Sequence, residues 1–246
     1  MTSLSGSTQR SRPVSTAAVV THGRLDVDEA AGRVRDVAAR TGVTLVDDPR
    51  AAEIVVALGG DGTMLRTLAQ LLGSNVPVIG VNFGRVGFLA SIRPDDLERN
   101  LERVFTGDYV VLELSTLEVR LDGARHVAVN DVVATSSTLG RMVELAWAVG
   151  GENLGTVPCD GMICSTPSGS TAYNLSNGGP VLVRGLDVTI RNATPDVSVS
   201  LLVDGHRVSE IASGREASVS LCQERSLLAT LPETTFFSRY RETFSS

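Results

Sequence analysis

A glycine-rich pentapeptide is the first part of the sequence whose residue types could do chemistry. It spans Gly59–Thr63, reads Gly-Gly-Asp-Gly-Thr and follows an apolar run that predicts a buried strand. Glycines let backbone N–H groups approach phosphate oxygens, and the start of a following helix favours negative charge. Asp61 is the only ionisable residue of the pentapeptide, and a carboxylate near a hydroxyl can accept its proton during phosphoryl transfer. A tight turn in which Asp61 only caps a helix is the alternative interpretation.

A second segment is rich in hydroxyl groups. Asp160 and Gly161 precede the run Ser165–Ser176, in which seven of twelve residues are Ser, Thr or Tyr. Such a run can offer neutral hydrogen bonds and a helix N-terminus to a nucleotide, and Tyr173 can pack against a ring. A Ser/Thr-rich turn that caps a short helix would have the same composition.

Two adjacent polar residues, Asn130 and Asp131, interrupt the apolar run Ala128–Val133. Neighbouring residues on a strand point to opposite faces, so one of the pair could be directed inward. A buried amide or carboxylate needs a partner, which a ribose hydroxyl or an adenine edge could supply. A turn or a strand end in solvent explains the pair equally well.

The elements that must position these groups follow from the apolar pattern. Short apolar runs predict strands over 17–21, 54–58 and 77–81, and helical spacing predicts helices over 27–38, 64–72 and 94–105. The run over 54–58 has no polar alternation, which is typical of a parallel strand covered on both faces. We therefore expect an α/β nucleotide-binding domain over 16–107, with an open and mostly parallel sheet.

The second half of the chain has a different pattern. Short apolar stretches alternate with the turn signals Asp122-Gly123, Gly150-Gly151 and Asp204-Gly205, which predict hairpins. We expect a mainly β domain over 108–234, with one helical interruption near Ser168–Ser176. Residues 1–15 are predicted to be a disordered tail, and 235–246 a segment that returns to the first domain.

Composition limits the partners. The 246 residues carry a net charge of −6 without a block of like charges, which argues against a nucleic-acid or anionic membrane surface. All 22 basic residues are arginine, so a Schiff-base lysine and a phosphate loop ending in Gly-Lys-Ser/Thr are excluded. The three cysteines lack zinc-site spacing, and no apolar run approaches the ~18 residues of a membrane span. We expect a soluble, cytoplasmic protein.

Taken together, these motifs resemble those of the NAD kinase family. The pentapeptide, the Asn130-Asp131 pair and the run from Asp160 to Gly178-Gly179-Pro180 occur in the family's order. The pentapeptide alone is shared with lipid kinases and resembles one in phosphofructokinases, whereas the last run is far more specific. Further similarity lies in Gly80–Leu89 and Phe236-Phe237, so the resemblance covers most of the chain from about residue 17.

The resemblance implies an enzyme that transfers the γ-phosphoryl group of ATP, with Mg²⁺, to the adenosine-ribose 2′-hydroxyl of NAD. Its substrates would be NAD and ATP, with polyphosphate left open as a donor, and it would be a homo-oligomer, either a dimer or a tetramer. Asp61 would be the proton acceptor. The other residues that the resemblance places at the nucleotides are Gly62, Arg66, Asn130, Asp131, Arg141, Asp160, Thr171, Ala172, Tyr173, Asn174, Leu175 and Ser176.

One departure from the family pattern follows Val183. The family continues through a further strand, a loop with a Pro-His signature and an Arg-Pro pair, whereas this sequence proceeds directly to Arg184–Asp187. Such a deletion would remove part of the β domain and could expose a strand edge. The deletion leaves one alternative, a catalytically impaired or regulatory paralogue that binds the dinucleotide. A lipid or sugar kinase that uses the same glycine-rich loop is a further alternative, but the hydroxyl-rich run would have no role in it.

Overall fold

The computed structural model describes residues 9–10, 12–21, 26–83, 87–138, 140–171 and 187–234. Contacts divide the chain into a first unit, Met1–Leu114 with Ser226–Ser246, and a second unit, Ser115–Arg225. Most of the predicted tail over 1–15, the site residues Ala172–Ser176, the departure after Val183 and the predicted C-terminal segment over 235–246 lie outside the described residues.

Apolar runs form the central strands of the first unit, and amphipathic stretches form its helices. Helix α1 buries Ala30, Val34 and Val37 along one face, and the strand over 54–58 is buried throughout, as expected for a strand covered on both sides. The elements in chain order are β1 (Gln9–Arg10), β2 (Thr16–Thr21), α1 (Asp26–Thr41), β3 (Thr44–Leu45), β4 (Ile54–Gly59), α2 (Asp61–Gln70), β5 (Val78–Asn82), α3 (Leu97–Phe105) and β6 (Val110–Leu114).

The second unit is built almost entirely of strands. Its elements are β7 (Leu117–Leu121), β8 (Ala124–Ala128), β9 (Asp131–Ser136), β10 (Val143–Val149), β11 (Glu152–Cys159), β12 (Gly161–Ser165), a 3-10 turn over Gly169–Thr171, β13 (Val188–Asn192), β14 (Val199–Val203), β15 (His206–Ile211) and β16 (Glu216–Leu221). The three predicted Asp-Gly and Gly-Gly signals each connect a hairpin. The helical interruption predicted near Ser168–Ser176 is described only through this 3-10 turn.

Strand β17 (Ser226–Thr230) returns the chain to the first unit and completes its sheet. The order is β1-β6-β17-β5-β4-β2-β3, parallel from β17 through β3 and antiparallel where β6 pairs with β17 and β1. This confirms the predicted fold class. The first unit extends past the predicted bound at 107 and resumes before 235. The reason is that β6 and β17, which pair with each other, come before and after the second unit in the sequence.

The second unit consists of two antiparallel sheets that share one apolar core. One has the order β11-β10-β13-β16-β7-β8 and the other β12-β9-β14-β15. Leu145 and Ile190 of the larger sheet and Ala134 and Leu201 of the smaller one are fully buried in the same cluster. Packing of two sheet faces therefore fixes β9 and β14, the strands that border the Asn130-Asp131 pair.

No described helix is long and apolar enough to cross a membrane.

Candidate functional site

Asp61 lies where β4 ends and α2 begins, at the carboxyl edge of the parallel sheet, the edge at which such sheets bind ligands. Its carboxylate accepts hydrogen bonds from three successive backbone N–H groups that follow β5. Phe88 donates to Oδ2 at 2.7 Å, and Leu89 and Ala90 donate to Oδ1 at 3.1 and 3.4 Å. Bonds from N–H groups to an ionised carboxylate are strong, so the side chain is held in one orientation.

Gly87 makes this contact possible. A Cβ atom at position 87 would lie 2.4 Å from Cγ and Oδ1 of Asp61 and 2.5 Å from Oδ2, too close for any side chain. In the sequence, Gly87 belongs to the run 80–89 that supports the family resemblance, and it had no predicted role. Its glycine identity was the available signal, but the sequence does not reveal which group approaches it.

The start of α2 presents backbone donors without acceptors. Gly60 is the N-cap and accepts from Thr63 N and Met64 N, at 2.9 and 3.1 Å, whereas no described group accepts from the N–H groups of Asp61 and Gly62. One turn further on, Nε of Arg66 is buried and has no partner among the described residues. The two N–H groups lie at the N-terminus of α2, where an anion would satisfy them, and Arg66 lies in the middle of the same ten-residue helix.

In the second unit, the backbone of Val129–Asp131 is held by a carboxylate that the sequence analysis did not assign. Asp204 Oδ2 accepts from Val129 N at 2.9 Å, and Oδ1 accepts from Asn130 N at 2.7 Å and Asp131 N at 3.1 Å. Asp204 was interpreted only as part of an Asp-Gly turn. That interpretation explained its residue type fully, so no signal for a second role remained.

The carbonyl groups of the same three residues are also paired. Thr166 donates from Oγ1 to Val129 O and from its backbone N to Asn130 O, both at 2.8 Å, and Asp204 N donates to Asp131 O at 3.0 Å. A Cβ at Gly169 would lie 2.1 Å from the Asn130 carbonyl oxygen, so this turn requires glycine. All six backbone polar groups of Val129–Asp131 are therefore satisfied within the unit.

The side chains of Asn130 and Asp131, in contrast, receive no hydrogen bond from any described residue. Asp131 is only 4% exposed, and burial, with the neighbouring charge of Asp204, raises the pKa of its carboxyl group to about 6. Burial also raises the pKa of Asp204, although its three N–H donors oppose that shift. The sequence-based expectation that one member of the pair points inward is met by Asp131.

Two other predicted residues, Arg141 and Asp160, lie at the far end of β9. Asp160 O accepts from Ser136 N at 3.1 Å, and the pairing of Val143 with Cys159 places Arg141 at that same end. Both side chains are exposed. Since β9 has six residues at about 3.3 Å each, roughly 17 Å separates this end from Asp131. The strand thus divides the predicted contacts into two groups.

The predicted residues of the hydroxyl-rich run are described only in part. Ser165 and Thr166 are buried beside Asn130, and Thr171 ends the 3-10 turn. Ala172, Tyr173, Asn174, Leu175 and Ser176 fall outside the described residues. The backbone contacts of Thr166 nevertheless join the start of this run to the Asn130-Asp131 pair, two motifs that are distant in sequence.

A cavity of about 280 Å³ lies in the first unit but does not include any predicted site residue. Its lining residues Arg12, Glu53 and Val76 precede parallel strands, whereas Asp61 follows one, so the cavity is at the opposite edge of the sheet. Glu53 accepts from Arg12 at 3.2 Å and from Ser15 N at 2.6 Å across this region. The predicted chemistry is therefore not located in this cavity.

Comparison with known families gives two matches. The model described as the ATP-NAD kinase N-terminal domain matches residues 7–109, and the ATP-NAD kinase C-terminal domain matches residues 129–202. The NAD kinase of Gemmatimonas aurantiaca is 34% identical over 219 residues, covering 77% of this chain and 76% of the relative. The NAD kinase of Heliobacterium modesticaldum is 43% identical over 155 residues, covering 61% of this chain and 55% of the relative.

Solved structures share the fold. A yeast NADH kinase complexed with NADH has a TM-score of 0.78 at 20% identity and covers 95% of this chain and 88% of its own. An NAD kinase from Archaeoglobus fulgidus in complex with ATP has a TM-score of 0.75 at 22% identity, with 94% and 99% covered. With both domain models matched in order and a relative aligned over three quarters of its length, the chain belongs to the NAD kinase family.

Proposed function

We propose that this member of the family transfers the γ-phosphoryl group of ATP to the adenosine-ribose 2′-hydroxyl of NAD, giving NADP. It would be a phosphotransferase with an alcohol group as acceptor. The observation that carries the proposal is the Asp61 carboxylate, which three backbone N–H groups hold beside unpaired donors at the start of α2. The relatives are NAD kinases, and the two solved structures contain NADH and ATP.

The phosphates of ATP suit the unpaired donors of the first unit. Backbone N–H groups at a helix start bind phosphate oxygens with help from the helix dipole, and a buried guanidinium Nε without a partner needs an acceptor. Gly62 is exposed, and a Cβ there would meet nothing within 4 Å. The described structure thus shows no steric need for glycine at this position, and close approach of a phosphate would supply a physical reason for it.

The adenosine half of NAD suits the two unpaired side chains of the second unit. The Asn130 amide offers both donors and an acceptor, and the Asp131 carboxylate offers acceptors to ribose hydroxyls or to an exocyclic amine. Their backbone is already satisfied, so a ligand can bind them without breaking the local structure. A donor supplied by the ligand would also relieve the cost of burying the Asp131 charge.

Asp61 can accept the proton that the ribose hydroxyl loses. As that oxygen attacks the γ-phosphorus, the bond between the γ-phosphorus and the β,γ-bridging oxygen breaks, and ADP leaves. The hydroxyl proton passes to the carboxylate. Oδ1 already accepts two N–H bonds and Oδ2 accepts one. Oδ2 therefore has the remaining lone pair, and we assign it as the proton acceptor.

The divalent metal, Mg²⁺ by expectation, would arrive with ATP. Among the described residues there is no group of three or more His, Cys, Asp or Glu side chains that could hold a metal ion. Mg²⁺ is usually bound by substrate phosphates with only one or two carboxylates, so the phosphates of ATP would hold it for the most part. When bound, it would neutralise charge on the phosphates.

The remaining expectations belong to the same proposal. They are a cytoplasmic location and a homo-oligomeric assembly, either a dimer or a tetramer. The impaired-paralogue alternative predicts NAD binding without NADP formation, whereas the relatives, which are NAD kinases, favour the active enzyme. The first experiment separates these two.

We expect purified protein to form NADP from NAD, ATP and Mg²⁺, as measured by coupling to an NADP-specific dehydrogenase. Asp61→Asn should reduce kcat by at least about 100-fold, because the amide cannot accept the proton. Its thermal unfolding temperature should fall modestly, because the amide oxygen keeps only part of the bonds from residues 88–90 and the NH₂ group faces the remaining N–H. Chelation of the metal should also abolish turnover. Full activity in Asp61→Asn would contradict the assignment of the proton acceptor, and an inactive, folded wild type would favour the paralogue.

Gly62→Ala should separate the needs of the ligand from those of the fold. Alanine in a helix with open space around it should raise the free energy of unfolding by about 0.5–1 kcal/mol. The added methyl group should at the same time raise KM for ATP at least about tenfold by blocking phosphate approach. Gly32→Ala in α1, where the nearest atom would be 4.0 Å away, is the matched control and should change stability alone. Unchanged ATP kinetics in Gly62→Ala would remove phosphate binding from this loop.

Gly87→Ala should move Asp61 out of its productive position. The new Cβ would overlap the carboxyl group, so either the side chain rotates or residues 88–90 shift, at a cost of about 1–3 kcal/mol in stability. We expect kcat to fall at least about tenfold, because misplacement of a reacting group is costly. Steady-state kinetics with urea unfolding would measure both effects, and wild-type kcat would show that the contact with Asp61 is dispensable.

Asp131→Asn should stabilise the free protein in a pH-dependent way. The folded pKa of about 6 lies above the ordinary 3.8, so the native state binds more protons in this window and its stability falls as pH rises through it. Above pH 6 the ionised carboxylate costs up to about 3 kcal/mol. The variant should therefore unfold at higher urea concentration than the wild type at pH 7.5, with little difference at pH 4. A gain that is equal at both pH values would contradict this origin.

A further inference from the structure

The Asp204 carboxylate makes contacts that its place in the fold does not require. Asp204 and Gly205 form the two-residue turn between β14 and β15, with positive φ of 47° and 78°, where Asp-Gly is a preferred pair. A turn of this type needs only residues that tolerate positive φ. The three backbone N–H groups on this carboxylate belong to a different segment, Val129–Asp131.

The same unit contains a second turn of the same kind, which shows what the turn alone uses. Asp122 and Gly123 connect β7 to β8 with φ of 50° and 84°. The Asp122 carboxylate lies at the surface and pairs with Arg215, whose side chain is 60% exposed. The two turns have the same sequence and backbone, but only Asp204 directs its carboxylate to the backbone of the predicted site.

The charge of Asp204 lies in an unfavourable environment, because the carboxylate is largely buried and a second carboxylate lies nearby. It is within hydrogen-bond contact of the Asp131 backbone, and the carboxylate of Asp131 is close enough to be affected by its charge. Two partly desolvated carboxylates repel each other, so a fold selected for stability alone would not place them together. Three charge-assisted hydrogen bonds offset part of this cost and fix the segment that carries Asn130.

We propose that Asp204 is a positioning residue for the nucleoside half of the substrate, holding Val129–Asp131 so that the Asn130 amide and the Asp131 carboxylate present their free groups to it. This inference rests on the proposed function. The two neighbouring carboxylates also determine which ligand groups can bind beside them: neutral groups that donate hydrogen bonds, such as hydroxyls and amines, are favoured, and the phosphates of the dinucleotide are repelled.

The test compares substitutions in the two turns. Asp204→Gly keeps the turn, since glycine adopts positive φ readily, but removes all three bonds; Asp122→Gly makes the same change at the control position. We expect Asp204→Gly to raise KM for NAD at least about tenfold, because the variant loses three charge-assisted hydrogen bonds. KM for ATP should stay within about twofold of the wild type. Asp122→Gly should leave both values unchanged.

A third variant covers the case in which Asp204→Gly does not fold. Asp204→Asn retains an oxygen for the N–H groups of Asn130 and Asp131 but presents an NH₂ group to Val129 N, so KM for NAD should rise by a smaller factor than in the glycine variant. Wild-type KM for NAD in both Asp204 variants, or equal rises for NAD and ATP, would overturn the proposal in favour of a turn or general structural role. Calorimetric titration with NAD alone separates this result from failure of the kinase function, because it needs no turnover.

Discussion

In each unit, a single carboxylate binds the N–H groups of three consecutive residues, and the predicted sites depend on these two contacts. Asp61 binds residues 88–90 and Asp204 binds residues 129–131. Consecutive N–H groups can converge on one anion only where the chain leaves regular strand geometry, since neighbouring N–H groups of a strand point to opposite sides. Each contact therefore fixes the shape of an irregular segment at the end of a strand, where neither sheet nor helix would fix it.

The two carboxylates differ in what they leave available. Around Asp61 the held group is the reactive one, because the side chain itself faces the proposed proton transfer. Around Asp204 the held group is the backbone, and the side chains that we propose to bind the nucleoside are those of Asn130 and Asp131. In both places a charged carboxylate is only partly solvated, which costs free energy. Such placement is typical of sites organised for a ligand.

Local patterns predicted much of the fold and the site motifs. The run Ile54–Leu58 and the spacing in α1 reflect burial over adjacent residues, so periodicity was sufficient to predict them. Asp61, Asn130 and Asp131 were identified because each is a polar residue where the surroundings predict an apolar or glycine-rich one. The contacts of Gly87 and Asp204 could not be predicted, since each joins segments far apart in the chain, and the residue type of Asp204 already suited its local turn. The separation of Asp160 from Asp131 likewise depends on strand register, which sequence does not give.

The pairing of β6 with β17 has a consequence for how the protein is made. Everything between these two strands belongs to the second unit, whose ends are tied together by hydrogen bonds from Cys222 N to Thr116 O at 2.9 Å and from Thr116 Oγ1 to Glu224 O at 2.7 Å. During translation, the second unit can fold before all strands of the first unit have been synthesised. The sheet of the first unit cannot be completed until β17 is synthesised, because β17 lies between β5 and β6. All strands of the second unit are therefore translated before the last strand of the first unit. Until then, the edges of β5 and β6 that β17 will occupy remain unpaired, and unpaired strand edges can pair with other chains.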